Sequence, residues 1–385
     1  MMTRIEKCFL LGACGDALGA PIEGVRSLAR IRELYGEGGL ADIIEGQDFW
    51  EDEVGELPRG RVTDDTTMAM TTAAALVLAC RETAPDDPAF AETMRRFLWQ
   101  GYLAWGSCQA GGEGLAAKID TNIEWPPLVR KFWFRCGAGR GTIAALMEDA
   151  PGSVAKPLAY KRTVRGREVS GPNPGCGGMM RVAPVAFLPG LSPERIFELG
   201  CESAAVTHGN QTAFVATGAV ALFIHFAAKG EGWLAGARNV LASFSENPLY
   251  AQGVSQCLAL MDTAEKRFAQ TPHSLDAMDA LPAEAGAKNA FLAGPVLAQV
   301  VYALLCGERG AKHALVVAAN HSGDSDSVAA IVGNVLGAGD AEVPQEWADV
   351  IIQRPEILAM AEAVDGLNEK RQPVRPPSSS LEPVR

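Results

Sequence analysis

An all-α fold is the class this sequence predicts. Stretches rich in Ala, Leu, Met and Val recur from one end of the chain to the other. Their apolar residues fall at helical spacing, and the period-two alternation of half-buried strands is scarce. Nearly half of the 385 residues are apolar (48%) and 41 are glycine, a composition from which closely packed helices can be built. The first helical stretch is 66–80, followed by 90–99 and 193–203, and then by the longer, mostly apolar runs 212–228, 295–306 and 327–336. Residues 36–60 and 150–178 carry glycine, proline and charge and read as loops. Residues 368–385, with four prolines and three serines, read as a disordered tail.

Two acidic knots interrupt this pattern, each running into an apolar helical stretch. The first is Val62-Thr63-Asp64-Asp65-Thr66-Thr67 and the second is Asn320-His321-Ser322-Gly323-Asp324-Ser325-Asp326-Ser327. Thr63, Asp64 and Asp65 offer a hydroxyl and two carboxylates, and Asp324, Asp326 and Ser327 offer the same inventory. Hard divalent cations such as Mg²⁺ and Mn²⁺ prefer such oxygens to imidazole or thiolate. Carboxylates this close repel one another unless a cation sits between them, and the number present favours two ions over one. Helix capping explains either knot alone, because Asp and Thr at a helix start accept backbone N–H bonds and suit the positive end of the dipole. It does not call for the same paired carboxylates and hydroxyl twice. If the knots form one site, the two ends of the chain meet, and residues 1–367 form a single domain.

Composition narrows the functional classes. The net charge of −12 argues against a nucleic-acid surface, which needs a basic face. The basic stretch 156–167 reads as a solvated connector. No run of 18 uninterrupted apolar residues appears and the N-terminus has no basic-then-apolar leader pattern, so no membrane association is expected. Nine scattered cysteines without a Cys-x-x-Cys pair indicate neither a disulfide framework nor a zinc site, and a reducing cytoplasm fits them best. The chain is expected to be a monomer.

Three further segments complete a series of five. Gly15-Asp16-Ala17-Leu18-Gly19-Ala20-Pro21-Ile22-Glu23-Gly24 precedes the first knot, and Gly175-Cys176-Gly177-Gly178-Met179-Met180-Arg181-Val182-Ala183-Pro184 and Thr207-His208-Gly209-Asn210 lie between the two knots. In this order the five segments resemble the ADP-ribosylglycohydrolases, the family that includes dinitrogenase reductase-activating glycohydrolase and the ADP-ribosyl-acceptor hydrolases. The resemblance implies a single compact orthogonal helical bundle with a dinuclear metal centre in a cleft. It implies a metal-dependent hydrolase that cleaves the glycosidic bond between ADP-ribose and an acceptor.

On that resemblance, two Mg²⁺ or Mn²⁺ ions are held by Thr63, Asp64, Asp65, Asp324, Asp326 and Ser327. Glu23 is the acid/base, with Asp65 as the alternative, and Asp16 supports the turn that presents Glu23. Gly175, Cys176, Gly177, Gly178 and Met179 line the ADP-ribose cleft with backbone N–H groups turned to an anion. His208, Ser322 and Gly323 also contact substrate, with Gly323 allowing a tight turn before Asp324. His321 orients its neighbours, and Arg181 is a structural ion-pair partner. Cys176 stands where several relatives have asparagine, and Ser327 where threonine is frequent. The expected partner is a protein ADP-ribosylated on arginine, with serine-linked conjugates or esters such as O-acetyl-ADP-ribose as alternatives. Residues 45–60, with Trp50 and several acids, read as either a lid that suits a guanidinium or a solvated insertion. A catalytically silent ADP-ribose-binding or structural member would have lost the carboxylates, and none of them is missing.

Overall fold

The computed structural model describes residues 1–47, 56–164, 167–287 and 290–369, and among these fifteen α-helices form the fold. They are α1 (Arg4–Gly19), α2 (Leu28–Tyr35), α3 (Asp64–Glu82), α4 (Phe90–Gly106), α5 (Arg140–Leu146), α6 (Pro193–Ala205), α7 (Gln211–Lys229) and α8 (Trp233–Ser243). The remainder are α9 (Ala251–Gln270), α10 (Leu275–Glu284), α11 (Ala293–Leu305), α12 (Ala311–Ala319), α13 (Ser325–Ala338), α14 (Gln345–Ala348) and α15 (Arg354–Glu369). Each helical stretch expected from spacing is present. The expected loops are not wholly irregular: β1 (Gly46–Gln47) pairs antiparallel with β2 (Glu56–Leu57), and β3 (Tyr160–Val164) with β4 (Arg167–Gly171). Hairpins this short bury no continuous face, so no alternation betrays them. The middle of the expected lid, residues 48–55, lies outside the described residues, as does the expected tail from 370 onward; α15 runs through Glu369.

Local chemistry sets the helix ends. Thr3 and Glu6 form a reciprocal capping box at the start of α1. Asn210 caps α7 by accepting from Thr212 N and Ala213 N, and Gly230 ends that helix in the left-handed conformation at φ 72°. The helix α7 is long and apolar enough to cross a membrane, but it is buried among α6, α8, α9, α11 and α13. Its fully buried Phe223 is one of many side chains that each contribute about 1.5–3 kcal/mol by leaving water.

One contact positions the site more than any other. The helices α1 and α13 run antiparallel with their backbones touching. A Cβ added at Gly15 would lie 2.2 Å from Ala329 O, one at Gly333 2.2 Å from Leu11 O, and one at Gly337 2.3 Å from Lys7 O. Asn334 Nδ2 donates to Cys8 O at 2.9 Å, and Ser325 Oγ donates to Gly19 O at 3.1 Å. Gly15 and Asp16 thus lie inside α1, whereas Asp16 was expected to support a turn. None of Gly12, Gly15 and Gly19 has a positive φ, so they serve close approach and not backbone freedom. The 3-10 turn Ala20–Ile22 follows α1 and delivers Glu23 beside the first turn of α13.

Candidate metal centre and active site

The site is built where three helix ends converge: the C-terminal end of α1 and the N-terminal ends of α3 and α13. Asp16, fully buried near the end of α1, reaches across to α3. Its carboxylate accepts from Thr63 N at 3.1 Å and from Thr66 N at 3.1 Å, and also from Thr66 Oγ1. One helix thus satisfies the orphan N–H groups of another and locks the first knot in place. Asp64 is held from its other side by the loop 136–139, where Asp64 N donates to Cys136 O and Gly139 N donates to Asp64 Oδ2 at 3.4 Å.

The two knots meet. Thr63 Oγ1 lies 3.3 Å from Asp65 Oδ2 and 3.3 Å from Asp326 Oδ2, although 263 residues separate Thr63 from Asp326. Glu23, Asp324 and Asp326 each place a carboxylate oxygen within 4.8 Å of the others. Asp65 Oδ1 is buried with no hydrogen-bond partner. Ser327 is buried beside this group, with its N–H on Asp326 Oδ1 at 2.9 Å and its hydroxyl 3.7 Å from Met180 Sδ. A pocket lined by Glu23, Thr63, Asp64, Leu57, Cys136 and Gly137 opens onto the cluster.

Electrostatics say what the cluster lacks. Burial, and then the neighbouring carboxylates Asp326, Asp324, Asp64 and Asp65, push the Glu23 carboxyl well above its usual range. Burial, followed by Asp16, pushes Asp64 up to about 8. Asp65 and Asp326 are raised well above the usual range, by burial first and then by the charges around them. Asp16 rises only to about 6, because the bonds from Thr66 and Thr63 offset part of its burial. Carboxylates assembled at this cost, with a hydroxyl among them and an orphaned oxygen, fit hard divalent cations. The donor set is all oxygen, which suits Mg²⁺ or Mn²⁺ chemistry.

The remaining residues predicted for the site are placed as follows. Cys176 donates its thiol to Asp324 Oδ2 at 2.6 Å, so the glycine loop touches the acidic cluster directly. Its backbone is less free than expected. Gly175 N donates to Asn173 Oδ1, Cys176 N to Phe291 O and Met179 N to Cys176 O. Gly178 packs against Ala204 and Thr217, and Met179 is buried. Gly175 and Gly177 lie against the His208 ring. Ser322 gives both its N–H and its hydroxyl to Asp279 Oδ1 at 2.7 Å. Gly323 does not take a positive φ; a Cβ there would lie 2.7 Å from Ala290 Cβ, so room and not turning requires the glycine. His321 Nδ1 accepts from Gly323 N at 3.1 Å, and burial lowers its pKa to about 4.

Among the described residues Arg181 makes no salt bridge, although the charge of Asp64 acts on it. Its guanidinium is buried over the Tyr102 ring at 4.1 Å and donates to Thr207 Oγ1 at 2.7 Å and toward Met68 Sδ at 3.8 Å. Sequence reading also missed the loop 136–139 and Asp279. Neither carries a spacing signal, and both act through backbone or from a remote helix.

A sequence model of the ADP-ribosylglycohydrolases matches residues 1–374. An uncharacterised protein of Archaeoglobus fulgidus is 28% identical over 364 residues, which cover 94% of this chain and 95% of the relative. A solved structure described as an ADP-ribosylglycohydrolase-related protein complex superposes with a TM-score of 0.54 at 22% identity, covering 94% of this chain and 97% of that one. At that identity the superposition speaks for the helical fold. Because the family match spans both acidic knots and the glycine loop between them, the chain belongs to the ADP-ribosylglycohydrolase family, a class of hydrolases.

Proposed function

We propose that the protein hydrolyses the glycosidic bond between ADP-ribose and the side chain of an ADP-ribosylated protein, with arginine as the acceptor. The observation that carries this reading is the meeting of Thr63, Asp65 and Asp326 around one point, with Glu23 and Asp324 beside it. Thr63, Asp64, Asp65, Asp324, Asp326 and Ser327 would hold two divalent cations, Mg²⁺ or Mn²⁺. When bound, such ions supply Lewis-acid polarisation and orient the hydroxyls of a ribose.

The chain's own residues do the rest. Glu23 lines the pocket that opens onto the cluster, and burial and the neighbouring carboxylates raise its proton affinity, which suits a group that passes a proton to the departing acceptor. It can then take a proton from the attacking water as the sugar passes through an oxocarbenium-like state. Asp65, with its unpartnered oxygen, is the second candidate for that role. The surrounding carboxylates stabilise the positive charge that develops on the sugar. The carboxylates of Glu23 and Asp64 in the pocket lining support a guanidinium acceptor. Nine cysteines scattered without a Cys-x-x-Cys pair support a reducing compartment such as the cytoplasm.

The deciding experiment measures ADP-ribose release from arginine-linked, serine-linked and O-acetyl conjugates, with Mg²⁺ and with Mn²⁺. Release from the arginine conjugate at the highest kcat/KM is expected. Preference for another conjugate would reassign the acceptor, and release from none would end the hydrolase reading for this chain.

A further inference from the structure

Gln109 is a buried polar side chain outside the acidic cluster, and its bonds lead toward it. It sits just past the end of α4 and is 4% exposed. Its Nε2 donates to Trp105 O in α4 at 3.4 Å and to Phe134 O at 2.7 Å, while its Oε1 accepts from Cys136 N at 3.0 Å. A backbone N–H can only donate and a carbonyl can only accept, so these partners settle which end of the amide is which.

We infer that Gln109 is a positioning residue for Asp64: by pinning residues 134–136 to the end of α4 it sets the path of the loop 136–139, which holds the Asp64 carboxylate in the orientation that serves a cation. The inference rests on the cation site proposed above, and not on the hydrolysis or its acceptor.

Cys136 is the link. Its N–H is taken by Gln109 and its carbonyl accepts from Asp64 N at 3.2 Å, so one residue passes the position of the amide on to the first residue of α3. Gly137 then turns the chain at φ 82°, a conformation that favours glycine, and Gly139 N reaches Asp64 Oδ2 at 3.4 Å. Cys136 and Gly137 also line the pocket to which Glu23 and Asp64 belong.

The bracing continues around the amide. Trp105 Nε1 donates to Thr67 Oγ1 at 3.0 Å, Thr67 Oγ1 lies 3.3 Å from Cys136 Sγ, and Arg61 Nη2 donates to Arg135 O at 2.6 Å. The first knot is thereby gripped from two sides, by Asp16 from α1 and by Gln109 through the loop. Asp64 faces other carboxylates that repel it, so its orientation is set by bonds from outside the cluster. An apolar side chain in place of Gln109 fills the same space but leaves Cys136 N–H and Phe134 O without that partner. The loop then shifts, and cation affinity is the property that suffers.

The test is calorimetry of the full chain with Mn²⁺ and with Mg²⁺. Gln109→Met keeps the volume and removes the hydrogen bonds; it is expected to weaken cation affinity by about ten- to a hundredfold while circular dichroism shows the wild-type helical content. Leu241→Ala is the control, in α8 and packed among α6, α7 and α9; it should lower the denaturant midpoint and leave cation affinity as it was. A folded Gln109→Met protein with wild-type affinity overturns the inference. So does an equal loss of affinity in Leu241→Ala, which would trace the effect to stability alone. A second measurement needs no variant: in metal-free wild type the Cys136 amide, one of nine in cysteine-labelled protein, should be protected from hydrogen exchange by about a hundredfold or more. An unprotected Cys136 amide overturns the inference as well. Absence of cation binding by the wild type would remove the metal centre and this inference with it, whereas failure of a cation-binding protein to hydrolyse any conjugate would end the proposed reaction and leave the affinity comparison to decide the role of Gln109.

Discussion

Along the body of the α1–α13 seam, backbone lies on backbone with Gly15, Gly333 and Gly337 at the closest approaches, and Gly12 makes room for Asn334, whose amide is paired with Cys8 O. At the end of the same seam, Glu23, Asp324 and Asp326 crowd together with Asp65 and Asp64, with no salt bridge to any of them among the described residues. The first region stabilises the fold. The second works against it, because burial and mutual repulsion raise the proton affinity of each carboxylate. The difference teaches that binding machinery is held in place here by a neighbour with stability to spare, a division expected where function asks for locally unfavourable chemistry.

The contrast can be broken most sharply at the acidic end. Asp64→Ala and Asp324→Ala should each abolish divalent-cation binding in calorimetry and lower kcat/KM for the best conjugate by roughly a thousandfold or more. Full hydrolysis by both variants would remove the acidic cluster from the chemistry. In the seam the expected effect is on stability. Gly333→Ala must displace Leu11 O and should cost about 1–3 kcal/mol in denaturant unfolding. An unchanged midpoint would mean that the two helices are not in backbone contact.

Opposite signs sharpen the comparison further. In metal-free protein, Asp326→Asn removes one repelling charge and is expected to raise stability by about 1–2 kcal/mol, even as it weakens cation binding. A loss of stability there would show that repulsion does not dominate the metal-free site. The smallest effect belongs to His321, at the approach to α13. Burial holds its pKa near 4 against an ordinary 6.5, with Asp279 opposing in part. The unfolded chain therefore binds the proton more readily, and stability should fall as pH drops from about 6.5 toward 4. His321→Asn should flatten that limb, by about 1–2 kcal/mol at pH 5. An equally steep acid limb in the variant would assign it to other groups.

Much of this was legible in the sequence. Two knots of Asp and hydroxyl residues ahead of apolar runs pointed to one oxygen-rich site, and helical spacing placed the helices that carry it. The misreadings have physical causes. Asp16 was read as supporting a turn because the glycines around it mark turns, yet glycines three and four residues apart also make a smooth helix face, and only the partner helix distinguishes the two. Gly323 has the same ambiguity, resolved by the nearness of Ala290. Arg181 was expected beside a carboxylate because buried arginines are usually paired, and its actual partners, Thr207 and Tyr102, come from distant segments. The hold of Asp279 on Ser322 bridges 43 residues and leaves no local trace.

The antiparallel clasp between Gly15 and Ala329 also has a bearing on how the molecule is born. These positions lie about 300 residues apart, so a ribosome releases the first helix long before its mate exists. During that interval the nascent chain exposes a glycine-lined groove and only one of the two acidic knots. Completion of the acidic cluster therefore waits until the second knot, with Asp324 and Asp326, has been synthesised.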